Sequence, residues 1–158
     1  MNFKFKNLQH GLTLIEIVVV IAIIGLIVSL GLITSFDSYR GYLFRSERTT
    51  LVSVLSRARS QAMNNMFETT HGICYDNSAK NYAIFRGSGY LATNPTNETV
   101  NSNSVAIIIS IPSSFICSPG SGVIFSQLSG TTSPIDIVVT ENNRVSTTSI
   151  NYEGAINW

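Results

Sequence analysis

Residues 17–36 read IVVVIAIIGLIVSLGLITSF, twenty positions without a charge. Wound as a helix at 1.5 Å per residue, the run measures roughly 30 Å, the thickness of a bilayer's hydrocarbon core. A domain of this size has no interior deep enough to surround such a helix on every side, so the pattern predicts a membrane-spanning segment. Further along, the apolar positions fall on one side only. Leu51, Leu55, Ala58, Ala62 and Met66 recur at steps of three or four, the spacing of one helix face. Arg45, Arg48, Arg57 and Arg59 mostly occupy other faces. No proline interrupts residues 17–66. One helix is therefore predicted from about Leu12 to about Asn65, apolar all round in its first half and amphipathic in its second.

Past Met66 the period shortens to two and β-branched and aromatic residues take over. Segments 70–75 and 82–86 flank the polar run Asp76-Asn77-Ser78-Ala79-Lys80 and read as a hairpin. Residues 105–111 form a dense strand signal that Pro112 stops. Strands are predicted at 122–126, 135–140 and 144–151, with a final edge strand at 155–158. Residues 87–104 are rich in Gly, Ser, Thr and Asn and predict a long surface loop.

Composition supports a folded chain: 158 residues with 44% hydrophobic and 12% charged positions leave no case for disorder. The formal net charge of +1 gives no overall field to attract nucleic acid or anionic lipid. The flanks of the apolar run carry more information. Ahead of it lie Lys4 and Lys6 with no acid before Glu16. A removable secretory signal would have a similar basic start, but its apolar stretch is about 7–15 residues, shorter than this one. Lys4 and Lys6 on one side and Arg40, Arg45 and Arg48 on the other leave the positive-inside count near a tie. Glu16 sits among Leu14, Ile15 and Ile17, where an acid either marks a specific pairing or rests at the headgroup level beside a helix N-terminus.

His10-Gly11-Leu12-Thr13-Leu14-Ile15-Glu16, followed at once by the uncharged run, resembles the class III signal of type IV pilins and pseudopilins. The resemblance implies that residues 1–11 are a leader removed by prepilin peptidase between Gly11 and Leu12. It implies N-methylation of Leu12, which stands where the family most often has Phe, and an assembly role for Glu16. In a filament of packed helices that carboxylate would pair with a neighbour's Leu12 ammonium, fixing register more than stability. Residues 12–36 would be the transmembrane and assembly half of the helix, 37–66 its amphipathic half, and 67–158 a β-rich periplasmic head. The implied fold is α+β and pilin-like, a long N-terminal helix packed on an antiparallel sheet. Two looser segments, Ala58-Arg59-Ser60-Gln61-Ala62 and Ser149-Ile150-Asn151-Tyr152-Glu153-Gly154-Ala155-Ile156, are similar to the GspH/FimT branch of H-type pseudopilins and minor pilins.

The expected function is thus structural: a minor pilin or pseudopilin assembled into a type IV pilus or type II secretion pseudopilus. Its expected partners are prepilin peptidase, other pilins or pseudopilins, the inner-membrane assembly platform and membrane lipid. The leader would be cytoplasmic and the head periplasmic. Alternatives are a DNA-binding minor pilin and a plain single-pass anchored domain.

Candidate chemistry adds little to this picture. Cys74 and Cys117 lie in or beside predicted strands, and in an oxidising compartment they would pair as a disulfide; two separate buried thiols is the other reading. His71 stands near no nucleophile motif and reads as a surface or half-buried strand residue. No catalytic set, metal site or cofactor is expected. Residues 67–158 carry Lys80, Arg86 and Arg144 against six carboxylates, a net of −3, which suits phosphate poorly. Arginines that follow a late Gly in DNA-binding relatives are replaced after Gly154 by Ala155, Ile156 and Asn157. The basic excess falls instead on residues 37–66, where five arginines face Asp37 and Glu47.

Overall fold

In the computed structural model, residues 13–102, 108–110, 112–141 and 143–158 are described, with backbone alone at 31–37 and 108–110. Gly11 and Leu12, with the leader before them, lie outside the described residues. The chain divides into two compact units, Met1–Gly41 and Tyr42–Trp158.

Helix α1 runs over Leu14–Met63. In the first unit, side chains from Leu14 to Leu30 are exposed on every face, including Ile17, Val20, Ile24 and Ile27. The stretch expected to span a membrane, 12–36, lies partly outside the described residues. Among the described ones, no helix is long and apolar enough to cross a membrane.

In the second unit the amphipathic part of α1 forms the spine of the core. Leu51, Leu55, Ala58 and Ala62 are fully buried, and Phe44 and Val54 widen the same stripe. Met66, placed on that stripe by spacing, is instead 40% exposed. The reason is local. Asn65 adopts a left-handed conformation at φ 53° and ends the helical path, so Met66 enters a short 3₁₀ turn, Met66–Glu68, and loses the helix's register. Phe67 and Glu68 also have positive φ, and the Arg86 guanidinium lies 3.3 Å over the Phe67 ring.

Among the described residues eight strands follow: β1 His71–Asp76, β2 Asn81–Arg86, β3 Glu98–Asn101, β4 Ile108–Ser110, β5 Val123–Phe125, β6 Ile135–Glu141, β7 Arg144–Ile150 and β8 Ile156–Asn157. They form two four-stranded sheets, ordered β3-β2-β1-β5 and β4-β6-β7-β8. The pairings within both sheets are antiparallel. The β1–β2 hairpin turns where expected because Asp76 Oδ1 accepts from the backbone N–H of Ser78 and Ala79, at 2.8 and 3.0 Å. Residues 87–104 are not all loop. Their second half supplies β3, an edge strand that pairs Tyr82 with Val100 and carries Glu98 to within 2.7 Å of Arg57 on α1.

Both sheets send one face to α1. Ile73, Tyr75, Tyr82 and Ile84 from the first and Ile137, Val139 and Ile150 from the second join the helix stripe in one hydrophobic core. The alternate positions of the first sheet are buried too, since Cys74, Ala83 and Phe85 pack under Tyr90, Cys117 and Ile124.

Candidate functional site

Three places hold side chains whose arrangement goes beyond packing. The first opens α1. Thr13 and Glu16 form a reciprocal cap: Glu16 Oε2 accepts from the Thr13 backbone N–H at 3.0 Å and from its hydroxyl at 2.9 Å, while Thr13 Oγ1 accepts from the Glu16 N–H at 3.3 Å. This is the capping-box exchange of a Thr-x-x-Glu sequence, which satisfies donors that a helix start leaves open. Sequence reasoning singled out Glu16 but missed its local partner, although the spacing of three was there to read. Around this cap, Leu14 (82% exposed) and Ile15 continue directly into the uncovered apolar helix. An all-round apolar helix of this kind is buried only by lipid or by other apolar surfaces.

The second place lies inside the head. Glu47 is fully buried on the same helix face as Leu51. Tyr82, reaching from β2, donates its hydroxyl to Glu47 Oε1 at 2.6 Å. Burial pushes the Tyr82 phenol far above its usual range, and the Glu47 carboxylate beside it pushes in the same direction. Tyr75 stacks at a tilt on Tyr82, centroids 5.0 Å apart, and burial raises its phenol as well. The spacing 44, 47, 51 and 55 puts position 47 on the buried stripe; its charge argued for solvent, and the hydrogen-bonded tyrosine is what reverses that.

The third place joins the two looser segments singled out in the sequence. Arg59, on α1, donates from Nη2 to the carbonyl of Glu153 at 3.0 Å. Its Nε lies against Gly154, where an added Cβ would stand 2.9 Å from that nitrogen and 2.0 Å from the Gly130 carbonyl oxygen. Gly154 has φ +74°, so the site needs glycine both for its backbone and for its space. Next to this contact is a cavity of about 310 Å³ between α1 and the C-terminal strand.

The remaining candidates are placed as follows. Cys74 in β1 and Cys117, whose N–H donates to the Tyr75 carbonyl at 2.9 Å, are joined by a disulfide with Cα atoms 5.0 Å apart. His71 corrects its expected place: it is 1% exposed, not on the surface or half-buried. It starts β1 between Arg86 and Phe125 in register. Burial lowers its imidazole below the ordinary 6.5, Arg86 adds to this, and the Thr69 backbone opposes it. Among the described residues, no three His, Cys, Asp or Glu side chains stand close enough to hold a metal. The structure brings Arg59 to Gly154 and Cys74 to Cys117.

Residues 6–32 match the family model of the prokaryotic N-terminal methylation motif. No curated protein matches the chain. Among solved structures, the minor pseudopilin EpsH from the type 2 secretion system of Vibrio cholerae is similar, with 9% identity and a TM-score of 0.49 over 69% of this chain and 90% of that one.

Proposed function

We propose, from the premise that this chain is a structural subunit of the type IV pilin and pseudopilin kind marked by its methylation motif, that it is a minor subunit delivered to a filament through its N-terminal helix. Prepilin peptidase cuts between Gly11 and Leu12 and methylates Leu12. The cut removes Lys4 and Lys6 and leaves a single ammonium ahead of an apolar helix. Before assembly that helix is held in the inner membrane, with the head in the periplasm. On assembly it leaves lipid for the apolar faces of neighbouring subunits, and Glu16 aligns with a neighbour's Leu12 amine. The head is then presented at the filament surface or tip of a secretion pseudopilus or pilus. Neighbouring pilins and the assembly platform are the partners this requires.

The observation that carries the reading is the motif at residues 6–32. The head's net charge of −3 works against a DNA-receptor role, since phosphate binding needs clustered cations. The test is N-terminal mass spectrometry of the protein from cells with and without prepilin peptidase. The expected species begins at methylated Leu12 only when the peptidase is present. A chain that still begins at Met1 in cells with active peptidase would refute the reading.

A further inference from the structure

The cavity beside the Arg59–Gly154 contact has a defined chemistry. From α1 it is lined by Ser56, Arg59, Ser60 and Met63, and from the C-terminal end by Ile156 and Trp158. Arg59 makes no ion pair with any described residue; Glu98 pairs with Arg57 instead. Its hydrogen bond to the neutral Glu153 carbonyl anchors the guanidinium and, among the described residues, leaves its charge without an acidic partner. Ser60 Oγ accepts from Asn64 Nδ2 at 3.1 Å, so its own proton is available to donate. Opposite these polar groups stand apolar walls that remain open to solvent: Trp158 is 63% exposed and Met63 45%.

We infer that this cavity receives an acidic side chain from a partner subunit. A single anchored guanidinium with a hydroxyl donor beside it matches one carboxylate, and Met63, Ile156 and Trp158 match the aliphatic stem that would carry it. A phosphate backbone is a poorer fit, because among the described residues Arg59 has no second cation beside it in the cavity lining to share its charges. The volume accommodates a side chain, and exposed Trp158 and Met63 around a half-buried Arg59 have the composition of an interface anchor. That the acid comes from a neighbouring subunit rests on the assembly reading above; that the cavity selects a carboxylate does not.

Trp158 is the chain's single tryptophan, so its emission reports on the cavity. The full chain in detergent micelles is titrated with an acetylated, amidated Leu-Glu-Leu tripeptide, its Leu-Gln-Leu counterpart and inorganic phosphate. The glutamate peptide should shift Trp158 emission saturably and bind at least roughly tenfold more tightly than the glutamine peptide, the range of a charge-assisted hydrogen bond. Ser56→Glu, at an exposed position one turn before Arg59, supplies an internal carboxylate at i, i+3. It should weaken peptide binding by a similar factor while leaving the melting temperature unchanged. Equal affinity for the two peptides, no saturable shift, a matching response to phosphate, or undiminished binding in Ser56→Glu would overturn the inference. These readouts do not depend on N-terminal processing, so their failure is separate from a failure of the assembly reading.

Discussion

The Arg59 guanidinium donates to the Glu153 carbonyl and packs on the bare Cα of Gly154, tying the last turns of α1 to the chain's C-terminal segment. Gly154→Ala puts a methyl 2.0 Å from the Gly130 carbonyl at a left-handed backbone position. Left-handed strain and overpacking together should cost at least about 2 kcal/mol. Thermal unfolding of the variant beside the parent measures it, and an unchanged melting temperature would show that the contact carries no stability.

Tyr82→Phe removes the hydroxyl that Glu47 accepts from within the core. Withdrawing one donor from a buried carboxylate should destabilise by about 1–3 kcal/mol. Denaturant unfolding at neutral pH gives the value.

Burial lowers the His71 imidazole below its ordinary 6.5, with Arg86 acting in the same direction and the Thr69 backbone opposing it. The unfolded chain therefore binds a proton that the folded chain resists, and stability contributed by this group is present above pH 6.5 and falls as pH drops below it. His71→Gln should flatten part of the decline in melting temperature between pH 7.5 and 5.5. Parallel declines in variant and parent would exclude His71 as its source.

The Cys74–Cys117 disulfide joins residues 43 apart in sequence. In the chain-entropy account, closing such a loop stabilises by about 4 kcal/mol. Replacing both cysteines with serine should lower the denaturant midpoint with little change in the far-ultraviolet circular dichroism of the native protein.

Glu16→Ala removes the two bonds that the carboxylate accepts from Thr13 and leaves only the backbone N–H of position 16 donating to Thr13 Oγ1. Loss of this cap should cost the isolated helix about 1 kcal/mol, leave membrane insertion intact and sharply reduce incorporation into filaments. Filament preparations compared by immunoblot read the last effect, and normal incorporation would contradict the role proposed for this residue.

Much of this fold is written in local periodicity. The charge-free run, the stripe at Leu51, Leu55, Ala58 and Ala62, and the Asp76–Lys80 turn each declare an element within a short window, and each element formed. What escaped depends on distant pairing. Glu98-Thr99-Val100-Asn101 is polar enough to read as loop and becomes β3 only because β2 offers it an open edge. The division of the strands into two sheets is decided by which partners meet, and no window of sequence contains that. Glu47 lies at a stripe position, but its burial needs Tyr82, 35 residues away. At the candidate sites, Glu16 was legible from its setting, while its exchange with Thr13 was present as a three-residue spacing and went unread. Arg59 and Gly154 were each conspicuous in their own segments. Their meeting could not be inferred from either one, because Arg59 and the Glu153 carbonyl it binds are 94 residues apart and the strands between have to fold before the two segments come together.

The Thr13–Glu16 exchange also bears on how cheaply a subunit can come and go. An acid already served by the Thr13 N–H and hydroxyl is not an open wound in the waiting monomer, and under the proposed pairing, trading that service for a neighbour's amine would swap one set of bonds for another of similar worth. In the proposed assembly, polymer growth would then be powered by the greasy flank of the rod, and a subunit released from the filament would return to lipid with its acid quiet. Such a joint suits a fibre that must be both built and dismantled.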